Sequence, residues 1–133
     1  MQEERQVFSM ILAIDIGNTN IVIGCIDQEK ISFVERVSTD ISKTELEYVV
    51  EFKTLLELYR VKMKDITGCI IASVVPPLNN IVKNAMEKLF HISPLLVGPG
   101  VKTGLNNLMD NPRHVASNLI VNPVAALKYY AAP

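Results

Sequence analysis

The residue types best suited to chemistry lie together in a short polar interruption of an apolar run. Residues 10–26 read "MILAIDIGNTNIVIGCI", where a glycine lets the backbone approach an anion closely and adjacent N–H groups can donate to phosphate oxygens. The Asn18 and Thr19 side chains can add donors, and Asp15 could orient a hydrated Mg²⁺ that bridges the phosphates. The stretch therefore predicts a phosphate site formed by Asp15, Gly17, Asn18, Thr19 and Asn20.

The same stretch has a plainer interpretation as a tight turn between two strands. Asn and Gly are favoured in hairpin turns whether or not a ligand binds there. The stretch is not a P-loop, because the Gly-x-x-x-x-Gly-Lys-Ser/Thr pattern is absent and no helix is predicted after it. From these residues alone, the phosphate site and the ordinary hairpin both remain open.

Three short β-type runs are expected to hold this turn. They cover residues 11–15, 20–26 and 31–37, and the connections between them, "IGNT" and "DQEK", are compact and turn-prone. Consecutive antiparallel pairing is the simplest arrangement of such runs. The polar stretch is thus expected at the end of a β-hairpin.

A helix is predicted after the third strand, within residues 42–61. Its apolar side chains recur at helical spacing, at Leu46, Val49, Val50, Leu56 and Tyr59. Ser42 precedes Glu45 by three residues, which is the spacing of a capping box. These features predict a helix that starts near Ser42.

Strands and helices alternate in the rest of the chain. The run "GCIIASVVP" at residues 68–76 is continuously apolar, as expected of a strand buried on both faces. The helix that follows has an apolar face, namely Leu78, Ile81, Val82, Ala85, Met86, Leu89 and Phe90. A short strand "SPLLVG", a loop at 98–113 and a final helix complete the order β-β-β-α-β-α-β-α, which predicts an α/β fold with a mixed sheet and helices on its faces.

The composition indicates one globular domain. The 133 residues are 49% apolar and 20% charged, and 13 basic against 14 acidic side chains leave a net charge of −1. This balance predicts neither a nucleic-acid nor a membrane partner. Cys25 and Cys69 lie in apolar runs without metal-ligand spacing, which favours two buried thiols in a cytoplasmic protein.

The N-terminal residues 1–9, "MQEERQVFS", are polar and are interpreted as an extension of a domain that covers residues 10–133. The apolar run that follows is interrupted by Asp15 and is too short to span a bilayer. It has neither a basic segment before it nor a small-residue cleavage site after it, so a signal peptide is not predicted.

Several short motifs together resemble a known family. The segment "DIGNTN" after "ILAI" resembles the first phosphate motif of the actin, heat-shock chaperone and sugar-kinase superfamily. The ordered set "AIDIGNTN", "ASVVP", "HISP", "TGL" and "DNP" is similar, more narrowly, to type III pantothenate kinases along residues 10–133. The resemblance implies a ribonuclease-H-like domain and an ATP-dependent kinase that phosphorylates pantothenate in the first step of coenzyme A biosynthesis. It further implies Mg²⁺, a monovalent cation (K⁺ or NH₄⁺) and a homodimer.

The substrate segment departs from the family pattern. Family members read Val-Gly-Ala-Asp-Arg-Ile where residues 115–120 read "VASNLI", so Asn118 stands at the position of the presumed catalytic base and Leu119 replaces the arginine. Met109 stands where many members have a substrate-contacting tyrosine. Losing a positioned base costs about 10²–10⁴ in rate. The degenerate substrate set is Met109, Ala116, Ser117, Asn118 and Leu119.

The resemblance also implies that the family continues beyond Pro133, with a second phosphate motif, a cation-binding aspartate and a second domain. The chain as given is therefore expected to be catalytically impaired, and its last helix is expected to expose an apolar patch that drives self-association, at Val124, Leu127 and Tyr130. Two alternatives remain open. One is a non-catalytic relative that binds a nucleotide or a protein partner, as in a transcription accessory role. The other is a sugar or acetate kinase, against which "ASVVP" and "DNP" argue.

Overall fold

A computed structural model of the chain describes residues 9–28 and 30–97. Its strands and helices, in chain order, are β1 (Met10–Ile16), β2 (Asn20–Asp27), β3 (Lys30–Ser38), α1 (Glu45–Leu58), β4 (Ile66–Ser73), α2 (Pro76–Phe90) and β5 (Leu95–Val97). A short 3₁₀ helix (Met63–Asp65) precedes β4. The predicted order of elements is confirmed as far as β5, and the predicted final helix lies outside the described residues.

The strands form one mixed sheet with β1 at its centre. The strand order is β3-β2-β1-β4-β5. Strands β1, β2 and β3 pair antiparallel as a meander, whereas β4 pairs parallel with β1 and β5 pairs parallel with β4. The predicted antiparallel meander followed by α/β alternation is therefore confirmed, and the polar turn follows the central strand, at one end of the sheet.

The core lies between one face of the sheet and both described helices. Because successive strand side chains alternate between faces, Leu12, Ile14 and Ile16 of β1 reach the same side, where they are buried in a cluster with residues of α1 and α2. Residues of β4 are buried on both faces, as the continuous apolar run predicted. No helix in the described part of the chain is long and apolar enough to cross a membrane.

Helix α2 packs through the predicted face. Its fully buried side chains fall at helical spacing, at Leu78, Val82, Ala85, Met86 and Phe90, while Ile81 and Leu89 are partly buried against the same cluster. Full burial of one such side chain contributes about 1.5–3 kcal/mol relative to leaving it exposed. The buried face of α2 therefore holds the helix against the sheet. This packing fixes the position of its first turn beside the end of β4.

Helix α1 buries only part of the apolar set that the sequence predicted: Leu56 is buried as predicted and Val49 packs partly buried against the core. The buried residues are Tyr48, Phe52 and Leu56, whereas Leu46 is 65% exposed and Val50 is 55% exposed. Apolar residues occur on both sides of this helix, so the spacing alone did not decide which side is buried. Tyr48 can be buried because its hydroxyl finds backbone partners at Asp40.

The capping box of α1 also lies later than predicted. The N–H of Glu47 donates to Thr44 Oγ1 at 3.2 Å, and the N–H of Thr44 donates to Glu47 Oε1 at 2.8 Å. The prediction of Ser42 and Glu45 as the cap pair is therefore wrong. Ser42 is instead engaged by Asp40, whose carboxylate accepts its hydroxyl at 2.6 Å, because an aspartate two residues earlier offers a closed local turn.

Candidate functional site

The polar stretch forms the turn of the β1–β2 hairpin. β1 ends at Ile16 and β2 begins at Asn20, so Gly17, Asn18 and Thr19 make the connection. The N–H of Gly17 donates to the carbonyl oxygen of Asn20 at 2.9 Å, which closes the turn. Gly17 is buried, whereas Asn18 and Thr19 are exposed. Four of the predicted site residues are thus brought together at one end of the sheet.

Two backbone donors of this turn are available to a ligand. Within residues 9–28 and 30–97, the N–H groups of Asn18 and Thr19 have no acceptor. Successive N–H groups in a turn form concavities that bind anions. The turn therefore offers what a phosphate group requires, without any side-chain cation.

Asp15 lies inside the sheet, one residue before the end of β1. Its side chain is only 4% exposed, and its neighbours in register are Val22 on β2 and Ala72 on β4. By strand alternation it occupies the face opposite Ile14 and Ile16. The sequence predicted the strand to end at Asp15, and the strand continues for one residue more. A carboxylate there is the hard oxygen ligand that Mg²⁺ prefers, so the donor set fits a hydrated magnesium ion beside the turn.

The end of β4 runs alongside the turn. The N–H of Val74 donates to the carbonyl oxygen of Ile16 at 3.1 Å, and the N–H of Val75 donates to the buried hydroxyl of Ser73 at 3.0 Å. The first bond continues the β1–β4 pairing one residue past the end of β4, and the second closes a local turn before α2. The junction between β4 and α2 is consequently fixed against the turn.

The first turn of α2 contributes few donors of its own. It begins with Pro76 and Pro77, which have no N–H groups. The next N–H, that of Leu78, donates to the carbonyl oxygen of Val75 at 3.0 Å. A phosphate at this place would therefore depend on the β1–β2 turn for its backbone donors, and not on the helix.

A cavity of about 530 Å³ opens beside the turn. Asn18 lines it from one side, Thr39, Asp40 and Ile41 from the segment after β3, and the two prolines from the start of α2. Small-molecule sites in proteins commonly have volumes of about 300–1,000 Å³ and mixed apolar and polar walls. The cavity has the size and the lining of such a site.

One wall of this cavity carries a fixed negative charge. The carboxylate of Asp40 accepts the hydroxyl of Ser42 at 2.6 Å and its N–H at 2.9 Å, and these bonds hold the pKa of Asp40 below its usual value. The ammonium of Lys43 is engaged by Glu51 at 2.9 Å. The charge of Asp40 disfavours a bare anion beside it, so a nucleotide that arrives with Mg²⁺ suits this wall better than one without.

The substrate residues predicted from the family pattern lie outside the described residues, namely Met109, Ala116, Ser117, Asn118 and Leu119. Thr39 and Asp40, which the sequence analysis did not select, line the cavity. They belong to the segment "STD", which begins at the last residue of β3. A run of small polar residues between a strand and a helix was the available indication, but it also fits an ordinary turn.

The two cysteines have no part in the site. Both are buried free thiols, which confirms the prediction from their apolar surroundings. Burial raises the pKa of Cys25 to about 12, and burial raises the pKa of Cys69 still further. Neither thiol ionises near neutral pH, so neither is a nucleophile. The described residues also contain no cluster of three or more His, Cys, Asp or Glu side chains that could hold a metal ion without further ligands.

The family model and the curated relatives that match this sequence carry the same family description. A family model described as type III pantothenate kinase matches residues 11–133. The type III pantothenate kinase of Geobacillus kaustophilus (strain HTA426) is 46% identical over 124 residues, which are 93% of this chain and 48% of the relative. That of Bacillus cytotoxicus is 46% identical over 124 residues, 93% of this chain and 47% of the relative. The chain spans about half the length of the curated relatives it matches.

Comparison with solved structures shows the fold. A Bacteroides thetaiotaomicron protein with an actin-like ATPase fold superposes with a TM-score of 0.54 at 8% identity, covering 82% of this chain and 37% of that one. A transcriptional regulator of the ROK family, a homolog of the E. coli MLC protein, superposes with a TM-score of 0.52 at 9% identity. The match covers 67% of this chain and 27% of the regulator. The fold is therefore ribonuclease-H-like, as predicted.

Proposed function

The chain belongs to the type III pantothenate kinase family, and on that premise we propose that it forms the ATP-phosphate-binding part of an ATP-dependent pantothenate kinase. The complete reaction transfers a phosphoryl group to pantothenate at the start of coenzyme A biosynthesis. The chain spans about half the length of its relatives. We therefore propose that it forms one of the two walls of the ATP-binding cleft.

The observation that carries this proposal is the turn at residues 17–19. Its two N–H donors without an acceptor among the described residues, at Asn18 and Thr19, follow the buried residue Asp15 closely in the chain. Backbone donors suit phosphate oxygens, and a carboxylate suits the hydration shell of Mg²⁺.

The metal proposal follows from the same residues. Asp15 holds Mg²⁺ through water, since one carboxylate with waters and phosphate oxygens is a common magnesium ligand set. Bound Mg²⁺ neutralises charge on the phosphates. A monovalent cation, K⁺ or NH₄⁺, is included on family resemblance alone.

The contribution of this part of the chain is positioning. Phosphoryl transfer depends mostly on alignment of the groups and on stabilising their charge. The N–H groups of Asn18 and Thr19 hold phosphate oxygens, and Asp15 orients the hydrated ion. The pairing of β1 with β2 and β4 on both sides keeps Asp15 in place, so its side chain is positioned before the ligand arrives.

The acceptor side of the reaction is proposed to be impaired. Asn118 cannot take a proton from a hydroxyl as a carboxylate does, and Leu119 cannot pair with the carboxylate of pantothenate. Met109 lacks the hydroxyl and ring of a tyrosine. Any transfer by the 133-residue chain is therefore expected to be slow or absent.

A second candidate is a non-catalytic relative that binds a nucleotide or a protein partner in a regulatory role. The change at Asn118 favours it, because loss of a base affects turnover and leaves nucleotide binding untouched. This candidate predicts that every form of the protein binds a nucleotide without turnover. The first candidate predicts turnover once the acceptor residues are restored in a chain that forms both walls of the ATP-binding cleft.

The wider setting is proposed on the same family grounds. Residues 1–9 form a polar extension and residues 10–133 one domain in a cytoplasmic protein. Self-association, most simply as a homodimer, is expected through the apolar residues of the last predicted helix, Val124, Leu127 and Tyr130.

Titration calorimetry of the 133-residue chain with Mg·ATP, and separately with pantothenate, tests this function. Mg·ATP is expected to bind, because the phosphate turn lies within the described residues. Pantothenate is expected not to bind, because its segment is altered. Absence of Mg·ATP binding would overturn the proposed function, and pantothenate binding would overturn the impaired acceptor site.

A further inference from the structure

A single residue outside the predicted site holds both ends of the phosphate turn. Thr39 follows the last residue of β3. Its N–H donates to the carbonyl oxygen of Thr19 at 2.9 Å, and its Oγ1 hydroxyl donates to the carbonyl oxygen of Gly17 at 2.7 Å. The turn is thus tied to the third strand through two of its own carbonyl groups.

The bond to the Gly17 carbonyl determines where one of the turn's donors, the N–H of Asn18, points. In a trans peptide the C=O of one residue and the N–H of the next lie in one plane and point in opposite directions. The carbonyl of Gly17, held by the Thr39 hydroxyl, therefore directs the N–H of Asn18 away from β3. Of the N–H groups in the turn, this one and that of Thr19 have no acceptor among the described residues.

The residue that follows Thr39, Asp40, is held by a fully buried tyrosine. The hydroxyl of Tyr48, on α1, donates to the carbonyl oxygen of Asp40 at 2.8 Å and accepts the N–H of Asp40 at 3.2 Å. Tyr48 has no exposed surface, so its hydroxyl has little freedom to move. The residue that follows Thr39 is consequently anchored to the core through both of its backbone polar groups.

We propose that Thr39 is a positioning residue of the nucleotide site: its hydroxyl holds the Gly17 carbonyl so that the N–H of Asn18 faces the phosphates, and Tyr48 supports it by holding the backbone of the next residue, Asp40. The inference rests on the proposed function of the turn. It extends that function to β3 and α1, so that a residue 22 positions away from Gly17 in sequence determines phosphate affinity.

Two substitutions separate this role from simple stabilisation. Thr39→Val keeps the shape and the backbone N–H and removes only the hydroxyl, whereas Thr39→Ser keeps the hydroxyl. Mg·ATP affinity is expected to fall about tenfold in Thr39→Val, since one hydrogen bond to a buried carbonyl is lost, and to stay within about threefold of the unsubstituted chain in Thr39→Ser.

Thr67→Val is the matched control. Thr67 also has a hydroxyl within reach of a backbone carbonyl, that of Met10 at 3.5 Å, but it lies at the start of β4, at the opposite end of β1 from the turn. Its Mg·ATP affinity is expected to be unchanged. Thermal melting of all variants shows whether an affinity loss occurs in a folded chain.

Tyr48→Phe is the second variant and decides the question if Thr39→Val does not fold. It removes the hydroxyl and keeps the buried ring, and it is expected to weaken Mg·ATP binding about threefold or more. If folded Thr39→Val binds Mg·ATP as the unsubstituted chain does, or if Thr39→Ser loses as much as Thr39→Val, the positioning role is refuted while the proposed function stands. If the unsubstituted chain does not bind Mg·ATP at all, both fail.

Discussion

Replacing Asp15 by asparagine is expected to weaken Mg·ATP binding by about 10- to 100-fold, which corresponds to the loss of one charged hydrogen-bonding contact. The substitution keeps the size of a side chain that is 4% exposed, so the sheet around it is preserved. An amide oxygen carries no net charge and orients the waters of Mg²⁺ less strongly than a carboxylate does. Titration calorimetry of the folded variant measures the change.

The effect of Asp15→Asn should depend on the metal. With EDTA in place of Mg²⁺, the unsubstituted chain and the variant should differ in ATP affinity by less than about threefold, because the carboxylate acts through the hydrated ion. Asp65→Asn is the matched control, since Asp65 ends the 3₁₀ helix just before β4, far from the turn. Equal Mg·ATP affinity of the Asp15 variant and the unsubstituted chain would refute the assignment.

The 133-residue chain is expected to release no pantothenate-dependent ADP above background. On the proposal that Asn118 stands at the position of the family's base, its loss alone lowers the rate by about 10²–10⁴, and Leu119 and Met109 are proposed to remove two substrate contacts in addition. The chain also spans about half the length of its relatives, and we expect the remainder of the cleft to come from the other half. A coupled assay for ADP, with and without pantothenate, provides the measurement.

Restoring only the base should not restore this activity. Asn118→Asp returns a carboxylate but leaves Leu119 and Met109 in place. The complete type III pantothenate kinase of Geobacillus kaustophilus is the positive control for the assay. Pantothenate-dependent ADP release from the unsubstituted chain would contradict the impaired acceptor site. Rescue by Asn118→Asp alone would show that the base was the only defect.

The fold could be predicted where a pattern had one physical solution. The apolar run of β4 and the face of α2 had only one way to be buried, and the polar stretch between two apolar runs could hardly be other than a turn. Helix α1 was ambiguous, since Leu46 and Val50 lie on one side and Tyr48 and Phe52 on the other. Tertiary contacts determine which side of the helix is buried. One of them is the hydrogen bond that the hydroxyl of Tyr48 donates to the backbone carbonyl of Asp40.

The site could be predicted only as far as it is local in sequence. Asp15 and the turn at residues 17–19 are adjacent in the chain, so their types and spacing could be interpreted together. Thr39 reaches Gly17 only because β3 pairs with β2 in a particular register, in which Asn20 lies opposite Ser38. The short connection between those strands suggested the pairing, but it did not fix which residue would meet the turn.

The central claim is that the turn at residues 17–19 binds the phosphates of a nucleotide. Amide ¹H–¹⁵N NMR spectra recorded while Mg·ATP is added test this directly, because the N–H groups themselves report the contact. The account predicts that the largest shifts occur at Asn18 and Thr19, with Thr67 unmoved. Shifts concentrated at the cavity lined by Glu45 and His91, with Asn18 and Thr19 unchanged, would contradict it.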